Sequence, residues 1–376
     1  MDQISPQLVV QTDFKINSIL NLFFIYYFFE VLFFMADFFA FQWHILDDCD
    51  QRCKHCYIFS EENDKELITM KYEDMEIVLD NCLKFCRKTN RIPYFSITGG
   101  DPILHPDFWQ LLKLLYENEI HYSILGNPFH ITDEVAKRLK SLSCRQYQLS
   151  LDGLKDTHDY FRKPGSFDIT LDKIKTLQDA GVRASIMTTV SKTNLDEIPD
   201  LIDVVVENNA GLFSFARYCP TSIEKATQMT PEEYRNLLEN VWQKYNEYKD
   251  SKTFFTLKDH LWTLFLYEKG LYEIPENLND DVVYDGCNCG NSHLTILPSG
   301  DVFACRRMDS KVGNALNESV YDIFMGDDMD EYRQFEKFEK CSRCELLRFC
   351  RGCPAVSYGT THDMYSPDPQ CWKEVL

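Results

Sequence analysis

The chain has 376 residues and a formal net charge of −20 at pH 7. That length allows two or more domains with a large core, and the acidity argues against nucleic acid or an anionic membrane surface as the main partner while leaving room for a basic peptide or protein. The 15 cysteines are an odd number, with no secretory signal of basic n-region and small-residue cleavage site before them; in an intracellular chain that usage points to metal, cluster or redox chemistry before disulfides.

A strongly apolar head opens the chain. Ile19 to Met35 reads ILNLFFIYYFFEVLFFM, long enough for a membrane helix, yet Glu30 lies inside it and Lys15 is the sole basic residue upstream. The stretch after Met35 has the character of a cytosolic enzyme's start. Residues 1–34 are therefore expected to be untranslated or vestigial, with a membrane anchor as the alternative. Peptides from residues 1–34 in a digest of the native protein would refute the first reading.

Strands and helices then alternate. Phe41–Leu46 reads as a strand and leads into Cys49-Asp50-Gln51-Arg52-Cys53-Lys54-His55-Cys56. Helical periodicity over Tyr72–Arg87 precedes a second strand, Pro93–Thr98, that ends in Gly99-Gly100-Asp101-Pro102. A helix over Phe108–Asn118 leads to a third strand, His121–Leu125, and Thr132 is placed as the N-cap of a helix running to Leu142. Gln146–Leu151 is a fourth strand, Thr170–Ala180 a helix, Arg183–Val190 a fifth strand, Leu195–Asn208 a helix and Leu212–Tyr218 a sixth strand. Six βα units in succession imply a parallel sheet, curled into a partial barrel or doubly wound, with its chemistry at the carboxyl ends of the strands. Further on, Thr230 caps an amphipathic helix, Pro231–Tyr248, the apolar segment Phe254–Gly270 bridges onward, and the polar turn Asn277–Asp281 marks a domain boundary.

Each strand end carries polar or thiol chemistry. Cys49, Cys53 and Cys56, at C-x3-C-x2-C spacing, can hold three irons of a four-iron cube and leave the fourth open, since such clusters are usually held by four cysteines. A zinc site borrowing a distant ligand, or reduced core cysteines, are the plainer alternatives. Gly99 and Gly100 let backbone approach a ligand and offer carbonyls to an ammonium group, although such a run also makes a simple turn. Ser150 and Asp152 offer a hydroxyl and a carboxylate to a ribose, or sit in a solvated turn; Asn127 and Asn194 are candidates for lining the pocket after strands three and five. Arg162 closes the run His158-Asp159-Tyr160-Phe161-Arg162, as a ligand-binding or an ordinary surface arginine. Cys219, in Ala216-Arg217-Tyr218-Cys219-Pro220, is a candidate catalytic thiol, a further ligand or a structural cysteine. Cys82, Cys86 and Cys144 read as buried small hydrophobes.

The cysteine loop, Gly99-Gly100-Asp101-Pro102 and Ser150-Leu151-Asp152-Gly153, in that order and each at its own strand end, resemble the radical S-adenosylmethionine superfamily over roughly residues 41–220. The resemblance implies a 4Fe–4S cluster on Cys49, Cys53 and Cys56, with S-adenosyl-L-methionine chelated to its open iron. It also implies reductive cleavage to a 5′-deoxyadenosyl radical that abstracts hydrogen from the substrate. Arg162 resembles the arginine that neutralises the methionine carboxylate. Asp101 stands where the family often has Glu.

Eight of the cysteines lie between residues 287 and 371. Leu294 to Cys305 reads as a hairpin turning at Ser299-Gly300, followed by Cys341-x2-Cys344-x5-Cys350-x2-Cys353 and Cys371. Paired C-x2-C knuckles are also zinc signatures. The array resembles a SPASM domain, which implies two auxiliary 4Fe–4S clusters and three clusters in all. The family pattern allocates Cys287, Cys289, Cys305 and Cys353 to the first and Cys341, Cys344, Cys350 and Cys371 to the second. Two residues separate Cys350 from Cys353 where the family usually has three. Cys287 and Cys289 are also unusually close for ligands of one cube, so one of them is a candidate free thiol that would leave an iron open to substrate.

The expected fold class is α/β, a partial (β/α)6 barrel of radical SAM type followed by a small cysteine-rich cluster-binding domain. The expected division is head 1–34, barrel 35–220, helical bridge 221–283 and cluster domain 284–376. The resemblance implies an enzyme that oxidatively modifies a ribosomally made peptide. The runs Cys-Arg-Gly-Cys-Pro-Ala and Ala-Arg-Tyr-Cys-Pro-Thr most resemble the group of the ACGX systems, which favours thioether formation at cysteine. Implied partners are the precursor peptide and an external electron donor such as a flavodoxin or ferredoxin. The 48 residues before Cys49 are too few and too apolar for the usual peptide-recognition module, which leaves leader recognition to a separate protein or to the core peptide. A formylglycine-generating sulfatase maturase is the near alternative. A non-enzymatic iron–sulfur electron carrier is the distant one, and it leaves the strand-end motifs unexplained. Oxygen-sensitive clusters imply a cytoplasmic, anaerobic setting.

Overall fold

The computed structural model describes residues 38–59, 66–220, 229–279 and 282–375. The apolar head lies outside the described residues, as do residues 280 and 281 of the expected boundary turn.

Strand β1 (Phe38–His44) turns Phe39, Phe41 and Trp43 into the core, the period of two expected of a strand. It runs parallel to β2 (Ile92–Thr98), in register from Phe38 opposite Ile92 to His44 opposite Thr98. Helix α1 (Tyr72–Thr89) connects the two and buries Met75, Val78, Leu79, Cys82, Phe85 and Cys86, a stripe at helical spacing. Phe39 meets Phe85 edge-on with ring centroids 4.6 Å apart, and Phe41 stacks on Phe95 at 5.0 Å. These aromatic geometries fasten the helix to the sheet.

The same unit repeats through α2 (Phe108–Glu117), β3 (His121–Leu125), α3 (Asp133–Ser141), β4 (Gln146–Ser150), α4 (Lys155–Phe161), α5 (Ser166–Asp179), β5 (Arg183–Val190), α6 (Ile198–Glu207) and β6 (Leu212–Arg217). Each strand pairs parallel with its predecessor. Thr132 caps α3, accepting from the Val135 N–H at 3.2 Å. Helix α5 starts four residues before the sequence reading placed it. Its N-terminal donors are satisfied by Asp159, whose carboxylate accepts from Gly165 N and Phe167 N at 2.7 and 2.8 Å. A cap supplied from the preceding helix leaves no mark at the usual cap position.

Helix α7 (Pro231–Glu247) opens on a capping box between Thr230 and Glu233. A two-residue strand, β7 (Phe254–Phe255), extends the sheet beyond β6 before α8 (Leu261–Glu268). The hairpin β8 (His293–Ile296) and β9 (Asp301–Phe303) is antiparallel, and β10 (Lys311–Asn314) follows. Strand β8 pairs parallel with β1, so the cysteine-rich part is hydrogen-bonded to the barrel's first strand. The whole forms one ten-stranded sheet in the order β10-β9-β8-β1-β2-β3-β4-β5-β6-β7. No helix among the described residues is long and apolar enough to cross a membrane.

Parallel strands share a direction, so β1 to β6 deliver their following loops to one edge of the sheet. The cysteine loop, Gly99 to Asp101, Asn127, Asp152, Asn194 and Cys219 all follow those strand ends.

Candidate active site

The cysteine loop is built on the glycine run. Gly100 N donates to Leu46 O at 3.0 Å and Asp101 N to Asp48 O at 2.8 Å. A Cβ on Gly100 would lie 2.0 Å from Asp48 O, and one on Gly99 2.2 Å from Leu46 O. The side-chain faces of both glycines are therefore taken up by the backbone that carries Cys49. Cys49, Cys53 and Cys56 are free thiols with part of their surface accessible. Cys49 feels Cys53, and Cys53 feels Cys56; burial pushes the Cys49 thiol up to about 12. Asn127 directs Nδ2 to Asp50 Oδ1 at 2.6 Å and lies 3.7 Å from the Cys49 sulfur, while its Oδ1 accepts from Phe129 N at 3.0 Å.

Asp152 and Arg162 are joined. Arg162 Nε donates to Asp152 Oδ2 at 2.5 Å, and Arg162 Nη1 reaches the Cys53 sulfur at 3.8 Å. Asp152 Oδ1 accepts from Thr189 N at 2.9 Å, and His55 Nε2 stands 3.4 Å from Oδ2. Burial alone raises the Asp152 carboxyl, but Arg162 and His55 outweigh it and hold it below the usual carboxylate range. The carboxylate read as a ribose ligand is thus engaged in orienting a guanidinium beside the cysteine loop. Ser150 ends β4 opposite Met187 and is half-buried. Asn194 is fully buried and braces the same region: its Nδ2 donates to Asp152 O and Thr189 O, both at 2.9 Å, and its Oδ1 accepts from Ser191 N at 2.7 Å.

Asp101 is fully buried, with Oδ1 accepting from Asn127 N at 3.4 Å. Its Oδ2 is buried without a hydrogen-bond partner, and burial pushes the carboxyl up to about 7. An orphaned carboxylate oxygen beside a three-thiol loop fits a ligand that brings an ammonium group. His130, absent from the sequence reading, joins the site: its Nε2 is 3.0 Å from Asp50 Oδ2, and ligand atoms of Asp50, Asp101 and His130 lie within 4.8 Å of one another.

The remaining thiols form two further groups. In one, Cys341 faces Cys371 and Cys344, Cys344 faces Cys371, and Cys350 faces Cys371 and Cys341. In the other, the Cys287 thiol faces Cys289 and His260, Cys289 also faces Cys305, and Cys353 faces Cys219. Arg307 faces Cys219, Cys353 and Cys305, and His260 and Arg217 also act on Cys353. Cys219, Cys287, Cys289 and Cys353 each keep part of their surface accessible. His260 and Arg307 carried no sequence signal, whereas Cys219 was legible from its place after a strand. Cys82, Cys86 and Cys144 belong to the hydrophobic core.

Comparison with known proteins agrees with this geometry. The Radical SAM superfamily domain matches residues 43–205, and the SPASM iron–sulfur cluster-binding domain matches residues 287–345. An AdoMet-dependent heme synthase of Methanosarcina barkeri is 25% identical over 343 residues, covering 88% of this chain and 95% of that protein. The mycofactocin maturase MftC of Mycolicibacterium smegmatis is 27% identical over 342 residues, covering 88% of this chain and 81% of that one. The crystal structure of Streptococcus suis SuiB bound to precursor peptide SuiA has a similar fold, with a TM-score of 0.71 at 21% identity over 96% of this chain and 84% of that chain.

Proposed function

We propose, for an enzyme that carries a radical SAM domain followed by a SPASM domain, that it matures a ribosomally made peptide by oxidative thioether formation at cysteine. The observation that carries the reading is the pair of thiol groups in the C-terminal region beside the three-cysteine loop. Closing a thioether from an S–H and a C–H removes one hydrogen atom, one proton and one electron from the peptide, so an electron acceptor must lie near the place of abstraction. When bound, S-adenosylmethionine and a cluster supply a primary carbon radical that takes the hydrogen atom, and auxiliary clusters supply the electron acceptor.

The chain's own residues would hold and orient these groups. Cys49, Cys53 and Cys56 would hold the first cluster, and Cys341, Cys344, Cys350 and Cys371 one auxiliary cluster. The other lies among Cys219, Cys287, Cys289, Cys305 and Cys353. Arg162, steered by Asp152, presents a guanidinium at the cysteine loop suited to a carboxylate. Asp101 offers its unpartnered oxygen to an ammonium. The precursor peptide and an external electron donor are the partners this reading requires.

Relatives named heme synthases span the same length of chain, so a porphyrin substrate is the second reading. Anaerobically reconstituted enzyme, given a reductant, S-adenosylmethionine and a cysteine-containing precursor peptide encoded beside it, is expected to release 5′-deoxyadenosine and return the peptide lighter by two hydrogens. Turnover of a porphyrin with an unchanged peptide would overturn the proposal, and a chain with Cys49, Cys53 and Cys56 all replaced by Ala is expected to form no 5′-deoxyadenosine.

A further inference from the structure

One thiol group holds five cysteines, one more than a four-iron cube takes. Resting on the cluster reading above, we propose that Cys219, supplied by the last full barrel strand, ligates this auxiliary cluster with Cys289, Cys305 and Cys353, and that Cys287 is the thiol left outside.

Three independent contacts seat Cys219 at the site. Its thiol faces that of Cys353 and feels Cys305. Arg217, two residues earlier, forms a two-pronged buried ion pair with Asp368, Nη1 to Oδ1 at 2.6 Å and Nη2 to Oδ2 at 2.8 Å. The same Asp368 Oδ2 accepts from Cys353 N at 2.8 Å, so one carboxylate fixes the backbones that carry both thiols. Finally, the helix Pro354–Thr361 packs directly on the residue after Cys219: a Cβ on Gly359 would lie 2.2 Å from Pro220 O. Both sides of the Cys219–Cys353 approach are thereby rigid.

The two candidates for the odd thiol differ in their partners. Besides Cys353, the Cys219 sulfur has long contacts, 3.9 Å to Arg217 O and 3.9 Å from Arg307 Nη1. The Cys287 thiol faces both Cys289 and the His260 imidazole, and its carbonyl is held by Arg351 Nη2 at 2.8 Å and Asn291 Nδ2 at 3.3 Å. The Cys219 sulfur thus faces Cys353, Cys305 and Arg307, whereas the Cys287 sulfur has the His260 imidazole and a backbone fixed by Arg351 and Asn291. Ligation exchanges the Cys219 S–H bond for an S–Fe bond and releases the proton; no electron is transferred. It makes the auxiliary cluster part of the barrel rim, on the sheet edge that carries the cysteine loop.

The test is a comparison of anaerobically reconstituted full-length wild type, Cys219→Ala, Cys219→Ser and Cys287→Ala by iron content and by EPR of the reduced protein. Wild type is expected to hold about twelve irons per chain; Cys219→Ala falls towards about eight or shows a changed auxiliary signal, and Cys287→Ala matches wild type in both respects. Persistence of the signal from the Cys49, Cys53 and Cys56 cluster reports that each variant is folded. Should Cys219→Ala lose that signal too, Cys219→Ser replaces sulfur by oxygen at nearly constant size and is expected to shift the auxiliary g values alone. An unchanged iron count and spectrum in the Cys219 variants, or any change in Cys287→Ala, overturns the inference. A wild type that binds about four irons overturns the auxiliary-cluster reading itself.

Discussion

Tyr57 and Arg306 join the two thiol-bearing loops: the Arg306 guanidinium carbon sits 4.6 Å from the centroid of the Tyr57 ring. Tyr57 follows Cys56, and Arg306 follows Cys305, so the barrel's cysteine loop and the C-terminal hairpin share a wall. A cation–π pair of this kind contributes about 0.5–2 kcal/mol. In a double-mutant cycle of Tyr57→Leu and Arg306→Gln, read from thermal melting of reconstituted protein, the combined loss is expected to be smaller than the sum of the single losses. Additive losses would show that the two side chains do not interact.

Gly100 is required by the space beside Asp48, because a Cβ there would meet Asp48 O at 2.0 Å and Asp47 O at 2.5 Å. Both obstacles are backbone, so the cysteine loop itself must move. Gly100→Ala is expected to lower stability by about 1–3 kcal/mol, the usual cost of overpacking, and to lose iron selectively from the first site. A variant that melts with wild type and keeps its iron contradicts this account.

On the proposed function, Asp152 would act on the cofactor through Arg162, which it holds at 2.5 Å. Asp152→Asn and Arg162→Gln are each expected to weaken S-adenosylmethionine binding about tenfold, near 1.4 kcal/mol, and the double variant no more than the worse single one. Equilibrium binding to reconstituted enzyme measures this. Independent, multiplying effects would place Asp152 in direct contact with the cofactor.

Acid sensitivity follows from His158. The residue is fully buried; its Nδ1 accepts from Asp152 N at 3.1 Å and its Nε2 lies 3.0 Å from Ser166 Oγ. Burial, reinforced by Arg162, pushes its pKa down from 6.5 to about 4. The unfolded chain therefore takes up the proton first, and stability present above pH 6.5 declines as pH falls towards 4. The full contribution is about 3 kcal/mol. His158→Gln cannot titrate, so the melting-temperature advantage of wild type over the variant is expected to shrink across that range. Parallel melting curves from pH 7 to pH 4 would contradict it.

Much of the barrel was legible because its signals are local. His121–Leu125 and Arg183–Val190 are strands over the residues that the alternation of apolar side chains marks. Thr132 and Thr230 cap helices where hydroxyl residues precede apolar periodicity. What escaped depended on partners. Helix α4 is short, α5 begins under a cap supplied by Asp159, and β7 is two residues long and exists by pairing with β6. The hairpin ending at Cys305 was readable from its turn, but its pairing with β1 was not.

The sequence by itself determined the order of the βα units, the strand-end positions of the cysteine loop and of Gly99 to Asp101, and the wealth of thiols in the C-terminal region. Those follow from side-chain periodicity and spacing, which the chain carries residue by residue. Only the tertiary structure decided which groups face one another. It turned Asp152 to Arg162, closed Gly100 onto Asp48, and brought Cys219 from the end of β6 to Cys353. Such pairings arise when distant segments pack and their buried polar groups must find partners, and no local pattern records that requirement.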